Sequence, residues 1–151
     1  MLKKTITYTD YNGTERTENY YFNLNKVEIT EMELSVNGGL TGHIQAIIEA
    51  QDRKSLFDLF KEIILKAYGE KSVDGKRFVK SKELSEAFSQ TEAFNELVME
   101  IINDDKKAAA FIQGILPFRE EDLTEEAQKE LTEKAQEVVN ITPAANLGAS
   151  L

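Results

Sequence analysis

The chain of 151 residues carries 18 Lys and Arg against 27 Asp and Glu, which gives a net charge of −9. This length is typical of one domain with room for a short appendage. With no cysteine and a single histidine, disulfides, thiolate zinc sites, cysteine nucleophiles and two-histidine metal sites are excluded. The excess of acids disfavours nucleic-acid binding, which depends on clustered Lys and Arg.

A β-hairpin is predicted near the N-terminus. The segment Lys4 to Thr9 is rich in β-branched and aromatic residues, and a second such segment, 14–22, follows Asn12 and Gly13. Asn-Gly is the strongest short hairpin signal because both residues tolerate a positive φ. We expect the hairpin to pack on another element, since an isolated pair of strands is marginal in water.

Helices are predicted over most of the chain up to Pro117. Asn25 and Glu28 have the spacing of a capping box that opens a short helix through Leu34. A helix over 55–68 has apolar residues on more than one face, so we expect it at the centre of the core, with Gly69 as its C-cap.

Helices are predicted again from about Ser81, after a turn at Asp74-Gly75, where a small hairpin and an ordered loop are both compatible with the sequence. The stretch Ser89 to Glu92 resembles a capping box and precedes apolar residues at helical spacing through Ile102. Asp104 and Asp105 can cap the last helix of this region, which Pro117 ends.

The composition changes at Pro117 and divides the chain into two predicted units. Residues 1–117 form a hairpin and helical core domain, and 118–151 form an acidic C-terminal helix and a disordered tail with eight acids and three bases. The predicted fold class is mainly α within the α+β class: a hairpin on a bundle of about five to six helices. The acidic helix carries a thin apolar stripe that includes Leu123, Leu131 and Val138.

No pattern in the chain indicates catalysis or a cofactor. His43 follows glycines but has no orienting carboxylate or nucleophile at a recognisable spacing, and the glycines do not form a phosphate-binding loop. Asp74 and Asp104 lack the ladder of a calcium loop. The aromatic cluster 20–22 and the basic cluster 76–78 could stack on bases, but the net charge opposes this use. We therefore expect an interaction protein without catalytic, cofactor or metal sites.

Six stretches of the sequence, taken together, resemble one family of proteins. They are Lys3 to Glu18, Tyr21 to Leu24, Glu31 to Ser35, Leu65 to Phe78, Ser85 to Ala93 and Gly114 to Pro117. Together they resemble the tail assembly chaperones of long-tailed phages and prophages of Gram-positive bacteria. The resemblance covers about residues 1–117 and concerns whole stretches rather than a catalytic signature.

The resemblance implies a non-enzymatic function in phage tail morphogenesis. Such chaperones bind the long helical tape measure protein, keep it soluble and help recruit tail tube subunits, and they act in the host cytoplasm and are absent from the mature virion. Many families also make a longer form by ribosomal frameshifting. Self-association is possible, and we expect no nucleic-acid or membrane partner.

The partner-binding residues expected from this reasoning lie on the stripe of the acidic helix or, alternatively, among apolar residues left exposed on the earlier helices. The stripe residues are Leu123, Ala127, Leu131 and Val138. Helix-in-groove packing would let such a surface cover the apolar face of a partner helix, and the acidic surface would keep the complex soluble.

Two other functions remain open from the sequence. A structural virion protein, such as a tail completion or neck subunit, would be present in mature particles. A small hydrolase or nuclease would need a metal-ligand constellation, which the sequence does not contain.

Overall fold

The computed structural model describes residues 1–35 and 39–117. In chain order the elements are β1 (Leu2–Thr9), β2 (Glu15–Phe22), α1 (Lys26–Leu34), α2 (Gly39–Glu49), α3 (Arg53–Ala67), β3 (Tyr68–Lys71), β4 (Phe78–Val79), α4 (Lys82–Ser89), α5 (Glu92–Asn103) and α6 (Asp105–Ile115). The mixed α+β class predicted from the sequence is confirmed. The acidic helix and tail predicted for 118–151 lie outside the described residues.

The strands form one antiparallel sheet in the order β1-β2-β3-β4. β1 and β2 pair along their whole length, from Leu2 opposite Phe22 to Thr9 opposite Glu15. β2 pairs with β3 only through its last two residues, and β3 pairs with β4. The sequence predicted two strands at the N-terminus and left the Asp74-Gly75 region open; the structure adds that region to the sheet as a second, short hairpin.

The turn between β1 and β2 is held by one carboxylate. Asp10 accepts hydrogen bonds from the backbone N–H groups of Asn12 and Thr14, both at 2.9 Å, and from Nε of Arg16 at 2.6 Å. The Arg16 bond and the backbone donors lower the pKa of Asp10. Gly13 has a φ of +79°, a conformation that glycine adopts without steric cost.

Helix caps agree with the sequence at α1 and differ at α5. Asn25 and Glu28 form the predicted capping box, in which each side chain accepts from the other's backbone N–H. At α5 the N-cap is Thr91, whose hydroxyl accepts from Phe94 N, rather than the predicted Ser89, which closes α4. Asp104 caps α6 as expected.

Gly69 is a strand residue rather than the predicted C-cap of α3. The helix ends at Ala67, its C-cap is Tyr68 in an extended conformation, and Gly69 is buried in β3. A Cβ at this position would lie 2.4 Å from Phe78 Cε1 and 2.8 Å from the Val79 carbonyl oxygen. Glycine is needed here for close packing between β3 and β4, and not to end a helix.

The core is centred on α5. The sequence had predicted that α3 would take this position, and that prediction is wrong. In α3 a single face is fully buried, and Phe57, Leu59 and Ile63 remain half-buried. α5 contacts β1, α4 and α6. Its buried residues are Ala93, Phe94, Leu97, Val98, Ile101 and Ile102. The helix with strict i, i+3, i+4 spacing therefore takes the central position.

Aromatic rings join the sheet to the helices. The rings of Tyr68 and Phe88 stack at 4.2 Å between centroids, and Phe22 contacts Phe111 edge-on at 5.2 Å. Tyr20 contacts Phe88 at 5.1 Å, and its hydroxyl donates to Tyr8. Burial, followed by this hydrogen bond, raises the pKa of Tyr20 well above its usual value.

Near both of its ends, the long hairpin formed by β1 and β2 has a side chain close to an acid of α5. Close to the start of β1, Lys4 Nζ lies 3.1 Å from Glu100 Oε1. Near the turn, Glu92 raises the pKa of Tyr11. Acids of α5 therefore lie close to the start of β1 and close to the turn of the hairpin.

Lys80 connects the second hairpin to the start of α1. Its Nζ donates to the Asn23 carbonyl oxygen and to Glu28 Oε2, both at 2.6 Å, and the Lys80 and Glu28 side chains are about four-fifths buried. Glu28 also belongs to the capping box of α1. One ammonium group therefore fixes the β2–α1 junction and the orientation of α1.

We expect Gly69→Ala to lower the free energy of unfolding by about 1–3 kcal/mol, because the new Cβ overlaps the Phe78 ring and the Val79 carbonyl. Urea denaturation followed by circular dichroism measures the change. Gly42→Ala is the matched control: a Cβ added to this helical glycine would meet no atom within 4 Å, so the variant should gain about 0.5–1 kcal/mol. Equal effects at both positions would contradict the close packing.

We expect Lys80→Met to cost about 1–2 kcal/mol, since it removes two short charge-assisted hydrogen bonds while keeping the alkyl chain near Phe78. The control is Lys82→Met, because Lys82 is exposed and lies 3.8 Å from Glu86, so its loss should change stability by less than about 0.5 kcal/mol. Urea denaturation compares the two variants. If Lys80→Met leaves the free energy of unfolding unchanged, the Lys80–Glu28 ion pair does not stabilise the fold.

Stability should fall as the pH rises above about 10, the ordinary pKa of tyrosine. The pKa values of Tyr8, Tyr20 and Tyr68 are raised in the folded chain, so the unfolded chain releases these protons first and alkaline pH favours unfolding. Tyr20→Phe should flatten the fall in unfolding free energy between about pH 10 and 12. An unchanged slope would contradict the burial of the Tyr20 hydroxyl.

Candidate partner-binding surfaces

The partner-binding residues predicted from the sequence are not placed by the structure. Leu123, Ala127, Leu131 and Val138 all lie in 118–151, outside the described residues. The described surfaces belong to residues 1–35 and 39–117, and two of them have features suited to binding a partner.

The described part of the chain contains no candidate metal site. No group of three or more His, Asp and Glu residues there could hold a metal ion. His43 is exposed on α2. Asp74 orders its turn by accepting from Ser72 Oγ at 2.6 Å and from Lys76 N at 3.0 Å, and these bonds lower its pKa. Within the same residues, every helix is too short or too polar to cross a bilayer.

The first surface is a face of α1 that carries two exposed apolar side chains. Val27 and Leu34 are 65% and 80% exposed. They are seven residues apart, so they lie on the same side of the helix, about 10 Å apart along its axis. Between them, Thr30 and Glu31 are also exposed. We call Val27, Thr30, Glu31 and Leu34 the α1 outer face.

The opposite side of α1 explains why this face is presented outward. Met32 is buried and Ile29 is half-buried against the core, and the capping box with Lys80 fixes the start of the helix. Apolar side chains therefore occur on two sides of one short helix, and the core covers only one of them. The spacing of Val27 and Leu34 was a signal for this surface, but the sequence does not show which side of α1 faces the core.

The second surface is the outer side of the sheet, where cations and aromatic rings alternate. Lys3 lies opposite Tyr21, Tyr21 opposite Gly69, and Lys71 opposite Phe78. Because directly opposed residues share a face and alternate residues return to it, these five residues lie on one side of the sheet. We call them the basic–aromatic face.

Two cation–π contacts agree with this arrangement, one within the basic–aromatic face and one from the neighbouring Lys80. Lys71 Nζ lies 4.7 Å from the centroid of the Tyr21 ring, and Lys80 Nζ lies 5.6 Å from that of Phe78; both distances are in the range of cation–π contacts. The sequence contained two separate clusters, 20–22 and 76–78. Strand pairing brings Tyr21 and Phe78 of these clusters to the same side of the sheet, which residue spacing does not reveal.

Comparison with known proteins identifies a family. No curated protein and no solved structure matches the chain significantly. A family model described as phage tail assembly chaperone matches residues 1–150. This match extends over both units predicted from the sequence and agrees with the resemblance found there. The chain therefore belongs to the phage tail assembly chaperone family.

Proposed function

We propose that this chain binds the phage tape measure protein, keeps it soluble, and helps recruit tail tube subunits during tail assembly. The observation that carries this proposal is the family match over residues 1–150. Membership of a chaperone family points to a non-catalytic protein whose partners are phage tail proteins. The chain performs this function in the host cytoplasm and is left out of the finished virion.

The α1 outer face is the proposed contact for the tape measure protein. A long helical partner exposes apolar stripes before the tube forms around it, and such stripes pack against the exposed face of another helix. Fully burying a valine or leucine side chain contributes about 1.5–3 kcal/mol, and Val27 and Leu34 are exposed enough to gain much of this on binding. Their spacing matches two turns of a partner helix.

The residues after Pro117 form a second proposed contact. Leu123, Ala127, Leu131 and Val138 keep the spacing of a thin apolar stripe, and 118–151 is proposed as a separate unit attached to the domain 1–117. A chaperone with two contacts of modest area could hold one site on the tape measure protein while releasing the other.

We expect co-expression with this chain to raise the soluble fraction of the tape measure protein severalfold. The double substitution Val27→Ser/Leu34→Ser should abolish most of this gain, because burying these two side chains on binding contributes several kcal/mol. Soluble and pelleted fractions are compared by gel densitometry. Leu123→Ser/Leu131→Ser tests the second contact in the same assay.

The matched control is Val73→Ser, which changes a fully exposed apolar residue in the turn between β3 and β4. This variant should solubilise the partner as well as the unchanged chain does. If the Val27/Leu34 and Val73 variants behave alike, the α1 outer face is not the contact. If the unchanged chain has no effect on solubility, tape measure binding itself is contradicted.

A further inference from the structure

The basic–aromatic face carries positive charge, although the chain as a whole is acidic. Lys3 and Lys71 on this face, with Lys76 and Arg77 in the adjoining turn, form no ion pair with any residue that the structure describes. In contrast, Lys80 beside them is paired with Glu28. Four cations without anionic partners among the described residues form a surface suited to carboxylates.

The chain itself contains a segment of complementary charge. Residues 118–151 hold eight acids and three bases, so five of the nine net negative charges lie there. All eight acids fall within 120–137, a stretch of 18 positions with only two lysines. This segment can supply the carboxylates that the face lacks.

The described chain ends beside the face. Leu24 N donates to the Ile115 carbonyl oxygen at 2.8 Å, so the end of α6 lies just beyond the last residue of β2. A Cβ added at Gly114 would lie 2.9 Å from Leu2 Cδ1, so this part of α6 lies beside the start of β1. The chain therefore leaves the domain at the end of the sheet where Lys3 and Tyr21 lie, and needs only to turn round that end to reach the outer side.

The distances allow this path. Neighbouring strands are about 4.8 Å apart, so the face is about 14 Å wide from β1 to β4. An extended chain covers about 3.3 Å per residue, so the five residues from Ile115 to Glu120 can span about 16 Å. The first acids can reach the near edge of the face, and the following ones can cross it.

We propose that the acidic segment 120–137 folds back within the same molecule and lies on the basic–aromatic face. Its carboxylates pair with Lys3, Lys71, Lys76 and Arg77 at the exposed side of the sheet. The docked segment neutralises the face and keeps it from binding other polyanions. This inference does not depend on tape measure binding, and a partner that uses the face has to displace the segment.

The test is zero-length carbodiimide cross-linking of the full chain, followed by mass spectrometry of the monomer band. We expect cross-links from Lys3, Lys71 and Lys76 to acids in 120–137 to exceed those from Lys54 and Lys106 at least about fivefold, and to fall at about 0.5 M salt, where charge interactions are screened. Lys54 and Lys106 are exposed reference lysines on α3 and α6.

A charge-reversal variant provides the second arm. Lys3→Glu/Lys71→Glu should reduce the remaining cross-links at Lys76 about tenfold, because two attractive charges become repulsive. The control Lys54→Glu/Lys106→Glu makes the same change in net charge away from the face and should leave the Lys76 cross-links unchanged. Circular dichroism confirms that both variants are folded, and the cross-links of the unchanged chain test the proposal without either variant.

Three results would overturn the proposal. Equal cross-linking of face and reference lysines would show that the segment does not prefer the face. Cross-links confined to a dimer band would make a second copy of the chain the occupant. Binding of a single-stranded oligonucleotide by the unchanged chain, measured by fluorescence anisotropy at the same ionic strength, would show that the face is open to other polyanions.

Discussion

The burial of Phe22 is the constraint on which the rest of the described structure depends. This side chain is completely buried, and its ring contacts those of Tyr68, Phe88 and Phe111. It lies at the end of β2, where the long hairpin meets β3. One residue therefore joins the sheet to α4 and α6, and a hairpin that is marginal by itself becomes part of a core.

Both candidate surfaces follow from this packing. The inner side of the sheet is covered by α5 and α6. Because successive strand residues point to opposite sides, the residues next to the buried ones, such as Tyr21 and Lys71, must face outward. α1 follows directly after β2 and is fixed by its capping box and by Lys80. Its outer side, with Val27 and Leu34, is then left exposed among the residues that the structure describes. The core determines which apolar and charged groups are available to partners.

Local signals in the sequence predicted local structure well. The capping box of Asn25, the turn at Gly13 and the spacing of α5 each depend on neighbouring residues. The role of Gly69 could not be predicted, because its reason is the Phe78 ring from another strand. The basic–aromatic face was missed for the same reason, since the pairing of β2 with β3 brings Tyr21 beside residues that are distant in the sequence. The expected stripe at Leu123 to Val138 stays a prediction.

The proposal that this chain is a non-catalytic partner of the tape measure protein is tested most directly by comparing two purified samples. Quantitative mass spectrometry would measure the chain in affinity-purified tape measure complexes from phage-producing cells and in mature virions. The account predicts that the chain accompanies the tape measure protein in the cells and is absent from the virions. Stoichiometric amounts in the virions, with none on the tape measure protein, would contradict it and identify a structural subunit.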